Sequence, residues 1–247
     1  MQLTVLGAGP AYTDREGATG AAYLVEAGDA AILLDLGQGS FPRLAVAIEP
    51  SRLDAVVISH LHPDHFIDLV PLRHYLAYEF DPPRRLRVLG PAHLAERLDA
   101  LHARPGFTAE ALDCVRLGSG EQQIHGITLE SRLVTHTEES YGTRLSVPNG
   151  PGLVYSGDCG VAEDLAPLIR PGDTLLIEVS FGVGPAPAGA GHLDAHDVAR
   201  LARATQPGRI LLTHLQMGFD PDEALRVVAD ATSVAVQFVQ PGDRLGI

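Results

Sequence analysis

Short runs of branched apolar residues recur along the chain, most of them bounded by Gly, Pro, Asn or Asp. Such runs read as strands, here over 3–7, 21–27, 31–37, 54–60, 86–90, 127–136, 141–147, 152–158, 173–180, 209–214 and 233–239. Apolar positions at helical spacing lie between some of them, over 64–79, 91–103, 161–169, 194–205 and 221–231. Asp194 is placed to cap the fourth of these helices, and Asp220 followed by Pro221 opens the last. "SVPNGPG" (146–152) reads as a hairpin turn, and the Gly/Pro/Ala-rich stretch 182–191 as a loop. Both halves of the chain open with several strands before strand–helix alternation sets in. That order predicts an α/β sandwich, with two sheets face to face and helices outside.

Composition narrows the class. The 247 residues are enough for a large core, read as a single domain over 1–247. Mean hydropathy is +0.09, and no apolar run approaches the roughly 20 residues of a membrane helix. The start, "MQLTVLGAGP", reads as a strand and turn rather than a signal peptide, so a cytoplasmic location is expected. Cys114 and Cys159 make no disulfide framework. Net charge is −13, and only "PPRRLR" (82–87) is locally basic, which disfavours a long nucleic acid as partner.

The chemistry lies where the apolar runs stop. "DAVVISH" ends in His60, "SRLVTH" in His136, "GLVYSGD" in Asp158 and "RILLTH" in His214. Ligands gather at the carboxyl ends of strands in α/β sheets, so these termini are expected to converge. His60, Leu61, His62, Pro63, Asp64 and His65 form the pattern H-x-H-x-D-H. Imidazole and carboxylate donors suit zinc first, with manganese or iron as alternatives. His60, His62 and His136 would hold one ion, Asp64, His65 and His214 a second, and Asp158 would bridge both. Two such cations lower the pKa of a shared water to near neutrality, giving a hydroxide nucleophile.

Together these residues resemble the metallo-β-lactamase fold superfamily of binuclear metallohydrolases. The resemblance runs from "LTVLGAG" at the start to "FVQPGDRLGI" at the end. It implies an αββα sandwich of two mixed β-sheets flanked by helices. "LLDLG" resembles the family's early Asp-Gly element, whose carboxylate (Asp35 here) supports the metal loop from behind; a turn-capping aspartate is the plainer alternative. "THTEESYGTRLSV…LVYSGDCG", "LIEVSF" and "GHLDAHDVARLA" resemble the tRNase Z-like and cyclic-phosphodiesterase branch. That branch implies His192 as proton donor to the leaving oxygen, supported by Glu178, with Asp64 both ligating and orienting the nucleophile. The sequence departs from the branch at Asp68, Cys159 and Asp194, none of them a ligand.

The plainer readings stay beside these. His192 before a helix can simply pack or cap, and His196 can take its place. Glu178 needs a buried partner, for which His192 and Arg144 compete. Tyr141 and Arg144 lie on a strand before they are phosphate contacts. His74, His93, His102 and His125 are expected to carry no chemistry.

The expected function is therefore a phosphodiesterase acting on a small (cyclic) nucleotide or ribose phosphodiester, without membrane attachment. A homodimer is in keeping with such relatives. The alternatives are a tRNase Z-like RNA 3′-processing nuclease and a lactonase or thioesterase of the same fold. No tRNA-gripping arm of the usual length is present in the sequence.

Overall fold

Fourteen strands form two sheets of seven in the computed structural model, which describes residues 1–247. The first sheet holds β1 (Gln2–Gly7), β2 (Ala22–Ala27), β3 (Ala30–Leu34), β4 (Ala55–Val57), β5 (Leu86–Gly90), β6 (Leu112–Arg116) and β14 (Arg244–Gly246). The second holds β7 (Gly120–Ile124), β8 (Ile127–Leu133), β9 (Tyr141–Ser146), β10 (Leu153–Tyr155), β11 (Thr174–Glu178), β12 (Arg209–Thr213) and β13 (Ala235–Phe238). Their orders are β14-β1-β2-β3-β4-β5-β6 and β13-β12-β11-β10-β9-β8-β7. Each sheet is mixed: β14, β1, β2 and β3 pair antiparallel and β3 to β6 parallel. β7 to β10 pair antiparallel and β10 to β13 parallel.

The twofold alternation of strand side chains builds three apolar layers. Val5, Tyr23, Val25, Ile32 and Leu34 face Leu129, Leu145, Tyr155, Leu176 and Leu211 between the sheets. The intervening residues face outward: Leu24, Leu33, Val56 and Val88 meet α1 (Phe41–Ala47), α3 (Leu69–Tyr78) and α4 (Leu94–Leu101). On the other side Leu175, Ile177, Ile210 and Leu212 meet α5 (Ala195–Thr205) and α6 (Pro221–Ala229). Strands buried on both faces explain why the apolar runs are nearly continuous. The expected αββα sandwich is the observed fold, and no helix is long and apolar enough to cross a membrane.

Several elements differ from the pattern reading. The helix expected over 64–79 is two, α2 (Pro63–Phe66) and α3, because the Asp68 N–H donates to Leu36 O at 3.0 Å instead of continuing the helix. Ala162–Leu168 is a 3-10 helix with Pro167 inside it, a residue that cannot donate to a helix ladder. β6, β7, β14 and α1 have no counterpart among the expected elements. β7, "GEQQI", is an edge strand with one buried residue, so it carries no apolar signal. The caps do follow the sequence: Asp194 forms a capping box with Asp197, and the Asp220 side chain accepts from the Asp222 N–H.

A buried ion pair ties the β9–β10 hairpin to the loop before β11. Arg144 donates Nε and Nη2 to Asp173 at 2.7 and 2.9 Å, and Gly152 N and Arg170 N add donors at 2.6 and 2.9 Å. Burial would raise the Asp173 carboxyl, but Arg144 and those backbone donors hold it below its usual value. A depressed folded-state pKa contributes stability above the unfolded value, near 4, that is lost as pH falls through the folded value. Asp173→Asn should therefore cost about 3 kcal/mol at pH 7 by leaving Arg144 unpaired. It should also flatten the acid limb of the stability curve; urea midpoints from pH 7 down to 2 that fall as steeply in the variant would refute this.

Candidate metal centre

All seven expected donors meet at the carboxyl ends of the strands. His60, His136 and Asp158 each stand three residues past β4, β8 and β10, and His214 directly follows β12. His62 precedes α2, and Asp64 and His65 lie in its single turn. The donor atoms of His60, His62, His136 and Asp158 lie within 4.8 Å of one another, and so do those of Asp64, His65, Asp158 and His214. Asp158 divides its oxygens between the sets. Oδ2 is 3.6 Å from His60 Nε2 and 3.7 Å from His136 Nε2, while Oδ1 is 3.3 Å from His65 Nε2 and 3.4 Å from His214 Nε2. Asp64 Oδ2 lies 3.6 Å from both His65 Nε2 and His214 Nε2, and His62 Nδ1 is 3.1 Å from His136 Nε2.

These spacings fit cations better than hydrogen bonds. A tetrahedral ion with bonds of about 2.0–2.1 Å holds its donors roughly 3.3–3.4 Å apart. His60 Nε2, His65 Nε2 and Asp158 Oδ1 are buried and make no hydrogen bond. A buried polar atom left without a partner costs about 1–3 kcal/mol, so such a cluster calls for a partner. The charge states agree. Burial, with His65 nearby, holds His60 well below the usual imidazole range, and burial also lowers His62 and His136. Their lone pairs are thus free. Burial would raise Asp158, but His214 and His65 hold it far below the usual carboxylate range, so it is ionised.

Asp35 stands directly behind the donors. Its backbone is left-handed (φ 55°), and its side chain is fully buried. Oδ1 accepts from Ser59 N at 2.6 Å; Oδ2 accepts from Ser59 Oγ at 2.7 Å, Tyr155 OH at 2.6 Å and His65 Nδ1 at 2.7 Å. The last contact aims His65 Nε2 into the cluster. His136 is aimed likewise, with Nδ1 2.6 Å from Gly191 O. Asp35 spends its carboxylate on these partners rather than on its own turn. Gly37 lets the same turn press on the donor segment: a Cβ there would run into the Asp64 carbonyl oxygen. Ser59 and Tyr155 were not legible as site residues, since Tyr155 has the pattern of a core strand residue.

His192 and Glu178 form a unit at the mouth. Glu178, at the end of β11, is fully buried and accepts from His192 Nδ1 at 3.0 Å, Cys159 N at 2.8 Å and Leu193 N at 3.3 Å, and from Ser180 Oγ. Burial would lower His192, but Glu178 outweighs it and raises the imidazole above its ordinary value. The His192 ring centroid is 4.7 Å from that of His136, and His192 Nδ1 is 3.9 Å from Asp158 Oδ2. His196 is exposed on the first turn of α5, away from the donor groups. Arg144 is taken by Asp173, so Glu178 pairs with His192. Tyr141 OH donates to Glu139 at 2.9 Å. His74 bonds Val70 O, His93 faces Glu96, His102 stacks on Phe107 and His125 faces Asp54; none joins the cluster. Two cavities flank the donors, about 920 Å³ beside His62 and about 430 Å³ beside His214.

A sandwich of two mixed sheets with a His/Asp cluster at the strand ends defines the metallo-β-lactamase fold class. The family model of the beta-lactamase superfamily domain matches residues 30–215, and the chain belongs to that family as one of its metallo-hydrolases. An uncharacterized protein of Mycobacterium leprae is 31% identical over 224 residues, 87% of this chain and 78% of its own. Ribonuclease Z of Metallosphaera sedula is 24% identical over 271 residues, 92% of each chain. The crystal structure of the metallo-beta-lactamase fold protein YhfI from Bacillus subtilis matches with a TM-score of 0.87 at 22% identity, over 99% of both chains. A diphosphatase from the PhnP family matches at 0.79 and 19%, over 100% of this chain and 97% of that one.

Removing the support behind His65 should loosen a bound metal without unfolding the sheets. Asp35→Ala is expected to weaken metal affinity by roughly 10–100-fold. Mass-spectrometric metal content after dialysis against a graded chelator measures this; retention equal to wild type would show that Asp35 does not serve the donors.

Proposed function

We propose that residues 1–247 form one hydrolase domain that holds two divalent cations, zinc foremost and manganese or iron as alternatives, and cleaves a small phosphodiester. The observation that carries this reading is Asp158, whose two oxygens face two separate donor sets with His192 beside them. His60, His62 and His136 would hold one ion, Asp64, His65 and His214 the other, with Asp158 reached from both sets. The two free thiols, Cys114 and Cys159, suit work in the reducing cytoplasm.

The bound ions supply an activated water and positive charge beside the reacting phosphoryl group. The chain's own residues do the rest. Asp64 faces the second donor set and orients the attacking water. His192, whose imidazole is raised by its Glu178 partner, gives a proton to the departing alkoxide. Glu178 is held in place by Cys159 N on the oxygen that faces His192 and by Ser180 and Leu193 N on the other. The names of the PhnP-family diphosphatase and the ribonuclease Z support phosphate-ester chemistry over lactones and thioesters.

Purified, metal-analysed protein should hydrolyse bis-p-nitrophenyl phosphate and lose that activity on chelation. A protein that carries two equivalents of metal yet leaves phosphodiesters intact would end the reading. His192→Ala should slow alkyl-alcohol leaving groups by about 10²–10⁴-fold while sparing p-nitrophenol, which departs without a proton. Equal losses on both would remove the proton-donor role.

The ribonuclease Z match favours one second reading, 3′ processing of RNA. Cleavage of a precursor tRNA with a steep inverse dependence on salt would support it over the small substrate.

A further inference from the structure

The two cavities beside the donor sets differ in charge. The one next to His62 is lined by Glu96, Glu138 and Glu139 against Arg97 and Arg116, and Arg116 is bound to Glu139 at 2.6 Å. The one next to His214 has the opposite balance, with Arg15 and Arg43 against the single carboxylate of Glu16. Both guanidiniums in this cavity lack a carboxylate partner, so their charge faces the cavity uncompensated by an ion pair. Every side-chain hydrogen bond of either arginine ends on a carbonyl or hydroxyl oxygen.

Their roles separate on these contacts. Arg15 is spent on structure: it donates to Leu215 O at 2.7 Å, Phe219 O at 3.2 Å and Gln216 O at 3.4 Å, fastening the loop that follows His214. Arg43 rises half-buried from α1 and makes one contact, Nη2 to Gly17 O at 3.1 Å. The rest of its fork is unspent, and a guanidinium fork suits a phosphate. About 430 Å³ is room for a phosphate and the sugar that carries it.

Building on the phosphodiester reading, we propose that the cavity beside His214 seats a second phosphate of the substrate, with Arg43 reading it and Arg15 holding the wall in place. The preferred substrate is then a phosphodiester that also bears a phosphate monoester. Its neutral leaving portion lies toward the acidic cavity beside His62.

The test pairs thymidine 5′-(p-nitrophenyl phosphate) with its 3′-phosphorylated form, two diesters that differ only in the second phosphate. The metal-loaded wild type should favour the 3′-phosphorylated diester about tenfold in kcat/KM, carried by KM, as the low end of a charge-assisted hydrogen bond allows. Arg43→Gln should bring that ratio near one, and Arg43→Lys should keep part of it. Calorimetry on the same metal-loaded proteins should show thymidine 3′,5′-bisphosphate binding about tenfold tighter than thymidine 5′-monophosphate, with the gap closed by Arg43→Gln. No gap in the wild type, or a gap that survives Arg43→Gln, overturns the proposal. If neither diester is cleaved but the calorimetric gap opens and closes as stated, the phosphodiester reading fails and the anion seat stands.

Discussion

The structure turns on a carboxylate sunk among imidazoles. Asp158 is 2% exposed, and His60, His65, His136 and His214 present nitrogens to it at 3.3–3.7 Å. Taking an ionised carboxylate out of water costs several kcal/mol unless opposite charge meets it. Burial lowers His60 and His136 among them, and His62 beside them, so these imidazoles supply lone pairs rather than charge. Asp158 and Asp35 flank His65 and together raise it above the usual imidazole range despite its burial. The pocket therefore offers an ionised carboxylate and free lone pairs side by side. That donor set fits a metal ion, whose binding would couple occupancy of the site to the stability of the loops that form it.

What holds these loops against their own repulsion is the interface of the two sheets. Tyr23 and Tyr155 pack between the sheets with tilted rings, centroids 5.1 Å apart, and both rings belong to the central apolar layer. Their hydroxyls emerge at the end where the donors gather. Tyr155 OH reaches Asp35, and Tyr23 OH meets Thr213 Oγ1, the residue before His214. Each ring thus joins the core to a residue next to a donor. The backbone adds further ties: Ala21 N donates to Asp64 O at 2.9 Å and Leu36 N to His65 O at 2.8 Å. The donor segment is thereby fastened to the first sheet before any ion is present, which is the preorganisation a metal site needs.

The legible part of the molecule is the part whose physics is local. Double-sided burial writes itself as β-branched runs, so most central strands stand out, and His60, His136, Asp158 and His214 stand out because they interrupt or end such runs. H-x-H-x-D-H is compact enough to read on its own. Edge strands leave no such mark: "GEQQI" pairs through its backbone alone on one side and has almost nothing to bury. The supporting residues are hidden for the opposite reason. Tyr155 and Ser59 look like ordinary core and turn residues, and their roles depend on Asp35, which lies 120 and 24 positions away. The break between α2 and α3 is likewise set from a distance, by Leu36 O and by the Asp68 carboxylate, which accepts from Phe41 N at 2.8 Å.

The acidic surface bears on what reaches the centre. A net charge of −13 repels a phosphate-bearing molecule at long range, and at physiological salt that field fades over about 8 Å. Recognition must then be made at contact, by groups that are individually placed. A long polyanion would need a basic track to repay the repulsion along its whole length, and the one basic run of the sequence, Arg84 to Arg87, sits at the start of β5, with Arg85 engaged by Asp113. A small ester meets that repulsion once and offsets it at the few positions where imidazoles and guanidiniums are placed to meet it. Individually placed cationic groups within an acidic surface suit small anionic esters better than a long polyanion.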